Sequence, residues 1–199
     1  MSLNLDTTIE SLKEFIKKEH LSLEIIILGG IAMEYYGEKN RMTMDLDAEV
    51  KGCDADKLHD YLESKGIYSD IGEDISRRGV VSMPPDYRKK AISIYHDLTL
   101  TVKVLHPSDF IISKLRRATE IDIQDALFVA QKYKLNKEEL RKDADLAIIN
   151  SPKDNALFMF KKTVAYFLNK LQETRAISTK EKTSIKQTEE VKKRRGRHY

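Results

Sequence analysis

Two aspartates, Asp45 and Asp47, stand at alternate places in Met44-Asp45-Leu46-Asp47-Ala48-Glu49-Val50, where every second residue is apolar. In a strand, side chains at i and i+2 leave the same face about 7 Å apart, so the pattern predicts a half-buried strand with both carboxylates on its polar side. Neighbouring carboxylates repel each other unless a hard cation lies between them. Magnesium takes oxygen ligands and keeps waters and substrate phosphates in its shell, so two carboxylates suit a metal carried by a nucleotide. The same spacing also describes the wet face of an ordinary edge strand, and what lies upstream decides between the two. Leu23 to Leu28 is an apolar, β-branched run of strand length, Gly29-Gly30 ends it, and Ile31 to Tyr36 reads as a short helix stopped by Gly37. Glycines at such a junction let the backbone approach a ligand, and the first amides of the helix point outward. Gly29, Gly30, Arg41 and Thr43 therefore read as a phosphate cradle, followed by Asp45 and Asp47 as catalytic and metal-binding carboxylates.

The elements that position these residues are legible from periodicity and capping. Thr7 with Glu10 has the capping-box spacing, and Ile9, Leu12, Phe15 and Ile16 predict a first helix to about Glu19. Ala55 to Lys65 predicts a helix ended by Gly66, whereas Tyr68 to Asp86 holds too many turn residues to assign. Ala91 to Tyr95 and Leu98 to Leu105 predict a hairpin about His96-Asp97. The last third is helical: Ser108 can cap a helix to about Arg117, Asp122 with Asp125 a second, and Asn136 with Glu139 a third. After Ser151-Pro152, Leu157, Phe160, Val164, Phe167, Leu168 and Leu171 form the stripe of a fourth. The pattern predicts an α+β chain. A mixed sheet flanked by helices occupies residues 1–106, a C-terminal helical bundle 107–178, and a basic flexible tail 179–199.

Composition narrows the class. The 199 residues are 41% hydrophobic and 34% charged, within the globular range. No apolar run approaches the roughly 18 residues of a membrane span. The first ten residues lack the features of a secretory signal, and the single cysteine, Cys53, cannot form an internal disulfide, so a cytoplasmic protein is expected. The net charge of +3 is a property of the tail: residues 180–199 hold eight Lys/Arg against three Asp/Glu. Lys192-Lys193-Arg194-Arg195-Gly196-Arg197 can attract RNA phosphates, although such runs are often merely solvated.

Leu28-Gly29-Gly30-Ile31-Ala32-Met33 through Arg41-Met42-Thr43-Met44-Asp45-Leu46-Asp47 resembles the signature of the DNA polymerase beta-like nucleotidyltransferase superfamily. His106-Pro107-Ser108-Asp109-Phe110-Ile111-Ile112-Ser113-Lys114-Leu115, followed by Asp122 and Asp125, is similar to the branch holding abortive-infection type IV toxins. The resemblance implies a nucleotidyltransferase-type sheet and transfer of a nucleoside monophosphate from a triphosphate to an acceptor, with pyrophosphate released. It further implies magnesium on Asp45 and Asp47, triphosphate at Gly29-Gly30, Lys114 neutralising phosphate, and Arg41 orienting the loop or the nucleotide. A toxin-like or defence-related role follows, with RNA or an antitoxin protein as partner.

One departure stands out. Superfamily enzymes present a third carboxylate on a neighbouring strand, and the corresponding stretch here, Leu100 to Leu105, has Lys103 in that place. Lys103 is expected on the polar face, where it would oppose a second metal, contact phosphate or pair with Asp45, while Asp97, Asp86 and Glu49 are alternative carboxylates. A non-catalytic nucleotide-binding or protein-interaction module is thus the competing expectation. His59, His96 and His106 have no ligand spacing, and Asp122 and Asp125 can serve simply as helix caps.

Overall fold

The computed structural model describes residues 3–38, 43, 45–76 and 81–195, with side chains described to 176. In chain order it contains α1 (Leu5–Glu19), β1 (Leu23–Ile27), α2 (Gly29–Tyr35), β2 (Asp45–Lys51), α3 (Ala55–Ser64), β3 (Tyr68–Gly72), α4 (Tyr87–Lys90), β4 (Ile92–His96) and β5 (Leu100–Val104). Four further helices follow, α5 (Pro107–Arg117), α6 (Glu120–Lys132), α7 (Lys137–Ile149) and α8 (Asn155–Arg195). The strands form one mixed sheet of order β3-β2-β1-β5-β4. β1 runs antiparallel to β2 and parallel to β5, β3 lies parallel to β2, and β4 closes the other edge as the expected hairpin partner of β5. The fold is α+β, a mixed sheet flanked by helices and followed by C-terminal helices.

The two faces of the sheet have different tasks. Ile25 and Ile27 of β1, Leu46, Ala48 and Val50 of β2, and Leu100, Val102 and Val104 of β5 are buried. α1 and α3 pack on the sheet with Leu12, Phe15, Ile16, Leu58 and Leu62, and the Phe15 and Tyr61 rings meet at 5.3 Å. The opposite face carries Asp45, Asp47, Glu49 and Lys51 of β2, level with Glu24 and Ile26 of β1 and Thr101 and Lys103 of β5. One hydrophobic core continues from the sheet into α5–α8. Tyr36, at the end of α2, donates to the Leu105 carbonyl at 2.6 Å and sets its ring 4.5 Å from that of Phe110 of α5. Among the described residues no helix is long and apolar enough to cross a membrane.

The caps correct several helix starts. Asn4 caps α1 with Thr7 as its return partner, one turn ahead of the Thr7–Glu10 box. His106 rather than Ser108 caps α5, and Thr119 caps α6 with Asp122 as the third helical residue, so the acidic pair lies inside the helix. Asn136 caps α7 as expected. α8 starts at Asn155 rather than at Pro152, because the Asp154 carboxylate accepts the Leu157 amide at 2.9 Å. The stripe Leu157, Phe160, Val164, Phe167, Leu168 and Leu171 is buried, and the backbone of α8 continues through Arg195, past the expected end at 178.

The junction of sheet and bundle holds a buried acid. Asp109 of α5 is fully buried and meets Lys90 of α4 at 3.2 Å as an ionic contact rather than an aligned hydrogen bond. Lys90 also faces Asp143 at 3.4 Å and Asp86 at 3.8 Å. Burial pushes the Asp109 carboxyl up to about 6 against the pull of Lys90. A carboxyl raised in the folded state binds its proton more readily there than in the unfolded chain, so its contribution to stability falls as pH rises between about 4 and 6 and is level above. Asp109→Asn is therefore expected to stabilise the protein by about 1–2 kcal/mol near pH 7, with the gain vanishing near pH 4. Denaturant melts of both proteins at the two pH values check it; a variant less stable than wild type at neutral pH would show that the Lys90 pairing outweighs the burial of the charge.

Candidate active site

The strand-to-helix turn between β1 and α2 is pressed directly onto the aspartates. Gly29 has φ +58°, in the left-handed region that glycine adopts without strain. A Cβ there would overlap Asp47 Oδ2 and lie 2.8 Å from Asp47 Cγ, while one on Gly30 would lie 2.7 Å from Thr43 Cβ. Both glycines are thus required by the close approach of the turn to β2 and the residue before it. The contact is fixed by the Leu28 amide, which donates to the Asp47 carbonyl at 2.8 Å, and by the Thr43 hydroxyl, which donates to Asp45 Oδ1 at 2.7 Å. Asp45 is exposed and Asp47 half-buried. Burial first, then the Asp45 and Asp70 carboxylates, pushes the Asp47 carboxyl above its ordinary value, against Arg117 and Lys114. α2 has seven residues, so its dipole adds little, and the positive side chains that line the turn's cavity stand on the helix after β5.

Those cations come from α5. A cavity of about 150 Å³ is lined by Leu28, Gly29, Asp47, Asp70, Ile75, Ser113, Lys114, Arg116 and Arg117. Lys114 is buried, with Nζ 2.8 Å from Asp125 Oδ2 and 3.3 Å from Asp122 Oδ1 of α6. Burial opposes the charge of Asp122, but the Thr119 hydroxyl with Lys114 and Arg117 outweighs it and holds that carboxyl below its ordinary value. Arg117 is largely exposed, with Nε 3.3 Å from Asp122 Oδ2 and Nη1 4.0 Å from Asp47 Oδ2, and can swing toward an anion. Arg116 turns the other way and donates to the Ile75 carbonyl at 2.9 Å, holding one wall of the cavity. The backbone on the other side of the Ile75 Cα is held by Glu49 of β2, which accepts the Ile75 amide at 2.8 Å and the Tyr87 hydroxyl at 2.5 Å and pairs with Arg88. Glu49 is therefore committed to the scaffold rather than offered to a metal.

The residues expected to converge do so unevenly. Gly29, Gly30, Thr43, Asp45, Asp47 and Lys114 come together, and Arg41 lies outside the described residues. Lys103 is on the polar face, as alternation requires, but pairs with Glu24 at 2.9 Å rather than with Asp45. Its register partner Ile26 faces Glu49, so it lies one same-face step beyond Asp47 and two strands away, about 12 Å by strand spacing. β5 does not adjoin β2, because β1 lies between them. The carboxylate directly opposite Asp47 on a strand that does pair with β2 is Asp70 of β3. Tyr68-Ser69-Asp70-Ile71-Gly72 was hidden among turn residues, whereas Arg117 was findable, standing three residues after Lys114 and so on the same helix face. Asp97 caps its own hairpin, accepting the Thr99 and Leu100 amides at 2.8 Å each. Cys53 is half-buried, its thiol pushed up to about 11 chiefly by burial, and so has little nucleophilic character.

Among the described residues no three His, Cys, Asp or Glu side chains form a group that could hold an ion by themselves. Asp45 and Asp47 fit a hard cation whose shell is completed by phosphates and water: they share one strand face, and burial and the Asp45 carboxylate both oppose the charge on Asp47, an opposition that a cation would relieve. No curated protein matches the chain. A family model described as "nucleotidyltransferase of unknown function (DUF6036)" matches residues 4–172, which span every element from α1 through the packed part of α8, including the Gly29–Asp47 turn and the Lys114 cluster. The chain belongs to this nucleotidyltransferase family.

Proposed function

We propose that the protein transfers a nucleoside monophosphate from a nucleoside triphosphate to an acceptor, with magnesium, in a toxin-like or defence-related setting, RNA being the favoured acceptor and an antitoxin protein the expected regulator. The observation that carries this reading is the Asp47 carboxylate, fixed against the Gly29 turn and facing the cavity into which Lys114 and Arg117 reach. Asp45 and Asp47 would hold the metal, which when bound screens phosphate charge. Gly29-Gly30 would seat the triphosphate, and Lys114 and Arg117 would offset its charge on the α5 side. The acceptor hydroxyl attacks the α-phosphorus, a new P–O bond forms, the bond to the β-phosphate oxygen breaks, and pyrophosphate leaves. Asp70 stands beside Asp47 and is the candidate for taking the hydroxyl proton. The cations and the turn act by positioning, which supplies much of the rate in such chemistry.

Incubation with each α-labelled triphosphate, magnesium and total RNA or protein tests the proposal. Label should move to an acceptor, and Asp47→Asn or chelation should lower the rate by about 10²-fold or more. Triphosphate binding without transfer to either class would instead establish the competing reading, a nucleotide-binding module. A second readout needs no acceptor. Because the Asp47 carboxyl is raised, its charge costs stability above that raised value, so Asp47→Asn should melt higher than wild type when metal-free and should gain less from magnesium plus triphosphate. Equal gains in both proteins would contradict the metal bridge.

A further inference from the structure

α8 has a second face that the fold does not use. Its buried stripe turns inward, yet Phe158, Met159 and Tyr166 are 57%, 58% and 55% exposed. Phe158, Lys162, Tyr166 and Lys170 follow one another at intervals of four, so ring and cation alternate along a stripe that winds about 120° round the helix, with the two rings about 12 Å apart along its axis. Lys162 Nζ lies 4.4 Å from the Phe158 ring centroid, and Lys170 Nζ lies 5.5 Å from that of Tyr166 and 3.3 Å from its hydroxyl. Single exposed aromatics need no explanation, but a repeated ring-and-ammonium pattern does. Charge supplies the second observation. Residues 155–195 carry eleven Lys/Arg against four Asp/Glu, while the rest of the chain is net acidic. The charge that draws a polyanion is therefore concentrated on this helix.

We propose that the outer face of α8 binds a single-stranded polynucleotide, with bases stacking on Phe158 and Tyr166 and phosphates meeting Lys162 and Lys170. Stacking tolerates any base and requires unpaired ones, while an exposed ammonium leaves a ring for a phosphate at little cost. A second copy of the chain is disfavoured as the occupant, since it would bring a like-charged helix to the same face. A protein partner would gain from Phe158 and Met159 but would leave the alternation with lysine without purpose. The face is independent of the transfer site, so the proposal stands or falls apart from that chemistry.

Fluorescence anisotropy of the full chain with labelled RNA and DNA single strands of about twelve nucleotides, and with duplex RNA, tests it at several salt concentrations. Single strands should bind more tightly than duplex, and the RNA and DNA arms show which sugar is preferred. Phe158→Ala and Tyr166→Ala should each weaken single-strand binding about tenfold with the salt slope unchanged. Lys162→Gln and Lys170→Gln should each lower the slope by about 0.7. Asp47→Asn should change neither quantity. Phe158, Lys162 and Tyr166 are exposed and Lys170 is half-buried, and none of the four lies in the buried stripe of α8, so these variants should fold as wild type does. Duplex bound as tightly as single strand, or ring variants that bind like wild type, would overturn the proposal and leave the face to a protein.

Discussion

Lys114→Met should lower stability by about 3–5 kcal/mol, the largest loss expected from any single polar substitution in this chain. The ammonium is buried between Asp122 and Asp125, at 3.3 and 2.8 Å, and both acids are themselves almost fully buried. Truncating the cation leaves carboxylates that cannot reach water. Asp122 keeps the Thr119 hydroxyl at 2.7 Å and Arg117 at 3.3 Å once the ammonium is gone. For a chain of this length, such a loss lowers the melting midpoint by roughly 6–20 °C. Adding Asp125→Leu should recover part of it, because a buried carboxylate 2.8 Å from the lost ammonium is replaced by an apolar side chain. The pH dependence has a definite sign. Asp122 is held below its ordinary value, so its share of the stability is present at neutral pH and is lost as pH falls through the carboxylate range. The gap between wild type and Lys114→Met should therefore narrow in acid. A midpoint shift below about 2 °C at neutral pH would mean that water already reaches the cluster. Restoring stability in the double variant without restoring triphosphate affinity would separate the scaffold role of Lys114 from the role toward phosphate proposed for it.

How much of this was legible beforehand depends on whether the signal was local. β1, the glycine turn and the alternation of β2 follow from side-chain period and from glycine at a junction, so their residues came together where expected. The hairpin of β4 and β5 and the apolar stripe of α8 were equally local. Strand order was not. The superfamily resemblance put Lys103 in the place of a third carboxylate on a neighbouring strand, but β1 pairs between β5 and β2, and Lys103 meets Glu24 instead. The acid beside Asp47 comes instead from β3, a five-residue strand within a stretch of turn formers, where parallel pairing rather than propensity creates the strand. Asp122 does serve the start of α6, as the partner that returns the Thr119 cap, whereas Asp125 lies a turn further in. Their burial against Lys114 depends on how α5 meets α6, which sequence spacing does not contain.

Gly29→Ala should cost about 2 kcal/mol of stability and about 10²-fold in metal-dependent triphosphate affinity, and a second glycine shows why. At φ +58° an alanine pays the left-handed penalty of roughly 1–2 kcal/mol wherever it stands. At Gly29 its Cβ would also overlap the Asp47 carboxylate, which must rotate or retreat from the face it shares with Asp45. Gly66, at the end of α3, has φ +74° and meets nothing within 4 Å of an added Cβ. Gly66→Ala therefore pays the backbone penalty alone, with an expected loss of about 1 kcal/mol and unchanged nucleotide affinity. If Asp47 ligates the metal as proposed, displacing its carboxylate by about 1 Å is enough to account for a hundredfold loss at the site. Calorimetric titration with magnesium and triphosphate, alongside melts of both variants, separates strain from site geometry. If both alanines reduced stability alike and neither altered affinity, the turn would be a chain reversal that merely lies beside Asp47. If only Gly29→Ala lost affinity, the close approach of Gly29 to Asp47 would be what holds the carboxylate toward its ligand.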